Sequence, residues 1–267
     1  MNSKSKKLLI IALVAMLVVA FSSQLLAHEI ILDFPQQVES GEEVEIEFTF
    51  GHFPDYFDYE HGFFDTMEDG ELMVVSEDGE VTELDFTKGT DTYTATFTPA
   101  EEGVYWIAFN GSRGVLDRTD GGGGMQLRYY DAKAPLIVGD ASEVTIAETP
   151  LEVELVKEDS TTLYEGDQIA LQLSYLGEKV SEQDVTVVTP SEQVRELTTD
   201  AQGKIEVDFD EEGRWFIHMS NLTDEDRSGE DYAENSEEII EYDRVRYNFA
   251  LYLDVEEEPG FFQRLFN

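Results

Sequence analysis

Four histidines, His28, His52, His61 and His218, are the residues of this sequence that combine scarcity with metal-ligating chemistry. His28 directly follows Leu25-Leu26-Ala27. A cut after Ala27 would make it the first residue. A terminal histidine offers two nitrogens, the α-amine and the imidazole, which together chelate divalent Ni, Cu, Co or Zn. Glu29 and Asp33 follow it and add carboxylates, with Glu29 a further candidate ligand. His52 and His61 bracket Phe53-Pro54-Asp55-Tyr56-Phe57-Asp58-Tyr59-Glu60. That loop offers two imidazoles, three carboxylates and two phenols within ten residues. His218 directly follows Trp215-Phe216-Ile217, alternates with Phe216, and so faces the side opposite Ile217. The face it occupies is either solvent or a domain interface. The spacing from His52 to His61 matches no zinc motif, and H-E-x-x-H is absent. Most histidines on β-structure bind nothing, so each one alone also reads as a surface or hydrogen-bonded residue.

Other chemistries find little support. There is no cysteine, which excludes disulfides, thiolate metal sites and a lipid-modified cysteine. No G-x-S-x-G elbow, P-loop or G-x-G-x-x-G is present. Nothing argues for an enzyme. The acidic run Asp224 to Glu241 contains oxygen ligands and Gly229 but lacks the EF-hand register, and it reads as a solvated loop.

The first 27 residues have the form of a secretory leader. Lys4, Lys6 and Lys7 make a basic start, and Leu8 to Phe21 is an apolar run of 14 residues, short for a membrane span. The chain is therefore expected outside the cytoplasm, in the periplasm or beyond. The cut itself has two candidates. Ala20-Phe21-Ser22 satisfies the small-x-small rule better than Leu25-Leu26-Ala27 and would leave His28 internal. An uncleaved leader serving as a membrane anchor is a third reading.

The charge is extreme. The whole chain carries a formal −42, and removal of the three leader lysines leaves 14 Lys and Arg against 59 Asp and Glu, or −45. Nucleic acid and anionic membrane surfaces are excluded as partners on this ground. The acid is spread evenly, as in Glu42-Glu43, Glu101-Glu102, Glu211-Glu212 and Glu256-Glu257-Glu258. Such spreading suits an exported protein of a salt-loving organism better than one dedicated cation trap.

The elements that must position the histidines are strands. Val44 to Phe50, Tyr93 to Phe97, Ile169 to Leu173 and Ile205 to Phe209 alternate apolar and polar residues with period two. Ile30 to Phe34 reads as the first strand. Glu102-Gly103-Val104-Tyr105-Trp106-Ile107 is matched by Glu212-Gly213-Arg214-Trp215-Phe216-Ile217, and Gly41 to Ile46 by Gly166 to Leu171. The expected fold class is all-β: two immunoglobulin-like β-sandwich domains in tandem after a signal peptide. The predicted boundaries are 1–27 for the leader, 28–140 and 150–256 for the sandwiches, and 257–267 for a short tail, with the join at Gly139 to Pro150. Short helices are predicted at Ser236 to Asp243 and at Phe261 to Phe266. Gly51 to Gly70 and Gly111 to Gly124 break the sandwich rhythm. The second ends in four glycines and reads as a flexible tip, or one ordered by a ligand or partner.

Taken together, these motifs carry a resemblance. The leader ends in Ala27-His28-Glu29, a first-domain strand runs into Gly51-His52, and that domain closes with Tyr130-Asp131-Ala132-Lys133-Ala134. The second half carries Thr199-Asp200-Ala201-Gln202-Gly203-Lys204, then Gly213-Arg214-Trp215-Phe216-Ile217-His218-Met219, and ends in Arg246 to Leu253. The chain resembles an exported family described as a domain of unknown function and associated with nickel uptake. Its members are similar to the additional periplasmic component of nickel or cobalt energy-coupling-factor transporters. The resemblance implies a non-catalytic accessory protein that binds a nickel or cobalt ion, with copper or zinc as further candidates, outside the membrane. It implies membrane components of a metal transporter as partners. Matched by position, its metal residues are His28, His52 and His218, while His61 falls in a variable loop. The acidity and the glycine loop are departures from the family pattern. Two other functions stay open: a metal-free module for protein or glycan contacts, using Phe57, Tyr59, Phe63 and Phe64, and a copper oxidoreductase with a terminal-histidine brace.

Overall fold

The computed structural model describes residues 28–52, 56–57, 61–141 and 143–257, with no description of the side chains of His52, Tyr56, Phe57 and Glu158. The leader 1–27, the helix expected at Phe261 to Phe266 and nearly all of the expected tail lie outside the described residues. Strand makes up 60% of the chain and helix 5%, so the fold is all-β.

Three layers of sheet stack on one another. The first outer sheet runs in the order Glu29–Asp33, Val44–His52, Tyr93–Phe97, Phe86–Lys88. The central sheet begins with Val194–Thr198, Asp184–Val188, Gly213–Asp224 and Arg244–Val255 from the second half of the chain. It continues with Met125–Val138, Gly103–Asp117, Glu71–Val75 and Val81–Leu84 from the first half. The other outer sheet contains Val144–Ile146, Val153–Thr161, Gln168–Tyr175 and Glu178–Lys179, with Lys204–Asp208 also paired to Gln168–Tyr175.

The two halves meet along one parallel pairing of Met125–Val138 with Arg244–Val255, in which Arg128 faces Arg246 and Ala132 faces Ala250. Because the central sheet is covered on both sides, its strands bury alternate residues in two different cores. Trp215, Ile217, Phe249 and Leu251 pack with Leu155, Ile169 and Leu171 of one outer sheet. Phe216, Ala250 and Tyr252 pack with Ile30, Phe48 and Phe50 of the other. Such two-sided burial selects continuous apolar runs such as Trp215-Phe216-Ile217 instead of alternation.

The internal repeat has a structural counterpart. Val44–His52 and Gln168–Tyr175 both lie in outer sheets, and Gly103–Asp117 and Gly213–Asp224 both lie in the central sheet. Gly103 and Gly213 open the latter pair at φ +140° and +117°, a backbone region that L side chains rarely adopt.

Three local expectations are corrected. Ser236 to Asp243 is not a helix: Ile239–Tyr242 is a strand paired with Gly229–Tyr232. Its consecutive β-branched isoleucines fit an extended strand better than a one-turn helix. The acidic run is correspondingly a hairpin for part of its length, not simply a loop. Gly111 to Asp117 belongs to the long strand Gly103–Asp117, and only the turn that follows is irregular. That turn is held by its own backbone, with Arg118 N–H donating to Gly124 O at 2.8 Å and Gly123 N–H to Arg118 O at 2.9 Å.

Candidate functional site

The first strand, Glu29–Asp33, is an edge strand, and its two edges are closed in different ways. On one side it pairs antiparallel with Val44–His52, Glu29 against Gly51 and Ile30 against Phe50. Extending that register by one step places the backbone of His28 opposite that of His52. On the other side, side chains of the central sheet cap its carbonyls. Tyr252 Oη donates to Ile30 O at 2.8 Å, and Arg214 Nη2 donates to Leu32 O at 2.7 Å. The Arg214 guanidinium also lies over the Tyr252 ring at 4.9 Å.

This docking brings His218 to Glu29. His218 lies on the covered face of the central sheet, its ring stacked on Phe216 at 5.5 Å and 9°. Its Nε2 stands 2.5 Å from Glu29 Oε1, and Glu29 is fully buried. The distance is that of an ion pair, but the angles are not those of a hydrogen bond: neither Glu29 oxygen, nor His218 Nε2, has a well-formed one. Burial pushes the Glu29 carboxyl up from its ordinary range, while the charges of His218 and His28 pull it back down.

His28 and His61 gather on the same aromatic support. The His28 ring stacks on Phe50 at 5.2 Å and lies 5.3 Å from the His61 ring, which is itself 5.1 Å from Phe50. Phe50 is held edge-on by Phe63 at 4.8 Å and by Tyr130 at 5.2 Å. His61 caps the short helix Gly62–Thr66, its Nδ1 accepting from the Phe63 N–H at 3.1 Å. A neutral ring that accepts at Nδ1 carries its proton on Nε2. To ligate a metal through Nε2, His61 must move that proton to Nδ1 and give up the cap.

His28, Glu29, His61 and His218 thus converge on one end of the first outer sheet, and the backbone of His52 arrives at the same end. Among the described residues, no three His, Asp or Glu side chains stand close enough to hold one metal ion. Of the four aromatics offered by the sequence as a contact surface, Phe63 and Phe64 are buried at 0% and 2% exposure and are not available for one. Phe57 and Tyr59 fall outside the described side chains.

A second buried polar group, in the other core, carries no signal in the sequence reading beyond its motif. In Tyr130-Asp131-Ala132-Lys133-Ala134, both Asp131 and Lys133 are fully buried. Lys133 pairs with Glu154, donates to Ala147 O at 2.8 Å and lies 5.2 Å from the Trp106 ring centroid. Glu154 also accepts from the Thr149 N–H at 2.9 Å. Burial disfavours both charges, lowering Lys133 and raising Glu154. Asp131 Oδ1 accepts from Asn110 Nδ2 at 2.7 Å, and its Oδ2 has no partner. Burial pushes Asp131 well above the usual carboxylate range, against the pull of that hydrogen bond. Alternating charges inside an apolar strand are the one sequence signal that could have exposed this group.

A family model described as "Domain of unknown function (DUF4198)" matches residues 25–223. No curated protein matches the chain. Among solved structures, a DUF4785 family protein from Legionella pneumophila is 10% identical over 80% of this chain and 55% of its own, with a TM-score of 0.27. Escherichia coli alpha-2-macroglobulin is 13% identical over 85% of this chain and 14% of its own, with a TM-score of 0.25. A marsupial T cell receptor is 11% identical over 88% of this chain and 75% of its own, with a TM-score of 0.24. The chain spans about half the length of the first and about a seventh of the second. Similarity this distant carries no argument about function.

Proposed function

The chain belongs to the DUF4198 family, and we propose that it is an exported, non-catalytic protein that binds nickel or cobalt for a metal-uptake system. In this reading a signal peptide of residues 1–27 is removed, and the mature chain is two immunoglobulin-like sandwiches, 28–140 and 150–256. His28 then chelates the ion through its amine and imidazole, and His52 supplies the next nitrogen. The observation that carries the reading is the antiparallel register of Glu29–Asp33 with Val44–His52, which lines up the start of one strand with the end of the other. Glu29 supports it as a buried carboxylate beside His28, negative charge that a bound cation offsets. His218 holds that carboxylate from the second half of the chain. Nitrogen-rich ligation favours Ni and Cu over Mg and Ca, and copper is the natural competitor. The resemblance makes membrane components of a transporter the receiving partner.

Mass spectrometry of the secreted protein should find His28 at the amino terminus; a start at Ser23 would remove the amine from the site. On mature protein, His52→Ala should weaken nickel binding at least tenfold, equivalent to about 1.4 kcal/mol. His61→Ala should do less, because its Nδ1 is already engaged in the helix cap. Loss of binding in His61→Ala with His52→Ala unaffected would move the site to the acidic loop.

A further inference from the structure

In a chain with 17 Lys and Arg against 59 Asp and Glu, a basic residue is expected to have a carboxylate beside it. Arg113, Arg195, Arg227 and Arg244 each do, paired with Glu234, Asp210, Glu152 and Glu225 respectively. Arg128 and Arg246 do not. They face each other across the parallel pairing at the centre of the central sheet, on adjacent strands about 4.8 Å apart. Like charges directly opposite one another destabilise a ladder. Among the described residues, neither forms an ion pair with a carboxylate, and Arg246 Nε is buried without a partner. Burial is the largest cause that disfavours the charge of each; the Tyr130 phenol opposes it, while Arg118 and Arg113 add to it at Arg128, and Arg128 and Arg118 add to it at Arg246. Glu225, which favours the charge of Arg246, is already paired with Arg244.

The surroundings hold these groups in place. Arg128 donates from Nε and Nη2 to Gln126 Oε1, at 3.3 and 3.0 Å. Gln126 Nε2 in turn donates to Gly123 O at 2.6 Å, tying the arginine to the glycine turn that begins with Arg118. The register of Gly103–Asp117 against Met125–Val138 slips beside Arg128, where Arg113 is the extra residue with none opposite it in the ladder, and Arg113 Nη1 reaches Tyr130 Oη at 3.4 Å. A bulge of this kind re-aims a side chain. The phenol of Tyr130 also bears on both Arg128 and Arg246. The pair lies on the same sheet face as His218, four residues along the strand from Ala250, or about 13 Å.

We propose that Arg128 and Arg246, with the Tyr130 hydroxyl, form an oxyanion site that takes a small, multiply charged carboxylate or phosphate. Planar guanidinium forks match such groups bidentately, and an anion removes the repulsion that the fold otherwise bears. The site is independent of the metal reading, and it gives the glycine turn a role in placing Arg128 through Gln126.

Thermal midpoints of the mature protein, at constant ionic strength set with chloride, should rise on adding millimolar phosphate or citrate. The rise should be lost in the double variant Arg128→Gln/Arg246→Gln and kept in Arg195→Gln. A response to citrate alone, or to phosphate alone, would identify the source of the oxyanion. In the unaltered protein, the same anions should protect Arg128 and Arg246 from phenylglyoxal, read by mass spectrometry, while Arg195 and Arg244 continue to react. The proposal fails if these anions act no differently from chloride, if the double variant responds like the parent, or if both arginines are modified equally with and without the anion.

Discussion

Asp131 shows what a single carboxyl does in a fully buried position of this fold. Its pKa is raised in the folded state, so the folded chain keeps a proton that the unfolded chain releases. The stability it contributes is complete below the ordinary carboxylate range and is lost as pH rises through the raised value. Glu29, Glu154 and Asp254 are raised by burial in the same direction. The thermal midpoint should therefore climb as pH falls toward the ordinary carboxylate range. Asp131→Asn, which retains an acceptor for Asn110, should flatten part of that climb. An unchanged slope in the variant would show that Asp131 does not hold the proton. At this scale the sequence was only partly legible. The scarcity of histidine singled out His28, His52, His61 and His218, and alternation correctly turned His218 away from Ile217. Asp131 and Lys133 stayed hidden because their role depends on burial between two layers, which a strand pattern alone does not disclose.

At the scale of elements, the decisive contact is the capping of the first strand by the second half of the chain. An open edge leaves a row of carbonyls unsatisfied, and here Tyr252 and Arg214 satisfy two of them. Tyr252→Phe removes the donor to Ile30 O while keeping the ring, and should cost about 1–3 kcal/mol for the carbonyl left buried and unpaired. For a chain of this size that is roughly 2–4 °C in midpoint per kcal/mol. A midpoint within experimental error of the parent's would mean that water replaces the hydroxyl and that the edge is not sealed. The strands around this edge were legible in the sequence: Ile30 to Phe34 and Val44 to Phe50 came within two residues of the observed Glu29–Asp33 and Val44–His52. Ser236 to Asp243 was misread as helical because its acidic residues hid a hairpin held by pairing with Gly229–Tyr232. The backbone hydrogen bonds that tie the glycine turn to Arg118 were not legible, because such bonds leave no trace in side-chain pattern.

Most of the molecule's charge lies outside the apolar cores, and a formal net −42 repels itself when salt is low. The screening length shrinks from about 30 Å at 0.01 M to about 3 Å at 1 M, so the midpoint should rise steadily across that range. A flat profile would mean that the carboxylates are already spaced widely enough for screening to be irrelevant. The repeat in the sequence disclosed that the halves are alike, but not that their strands continue one sheet. The Met125–Val138 to Arg244–Val255 pairing is a contact between distant segments that neither segment encodes alone.

That same arrangement brings His218 of the second half to Glu29 of the first, next to the residue on which the functional reading rests. Nickel calorimetry on two forms of the protein addresses it directly, one beginning at His28 and one with a single glycine placed before it. The account predicts a loss of at least tenfold in affinity when the glycine is present, because the amine moves out of the chelate while both imidazoles remain. Equal affinity in the two forms would contradict it.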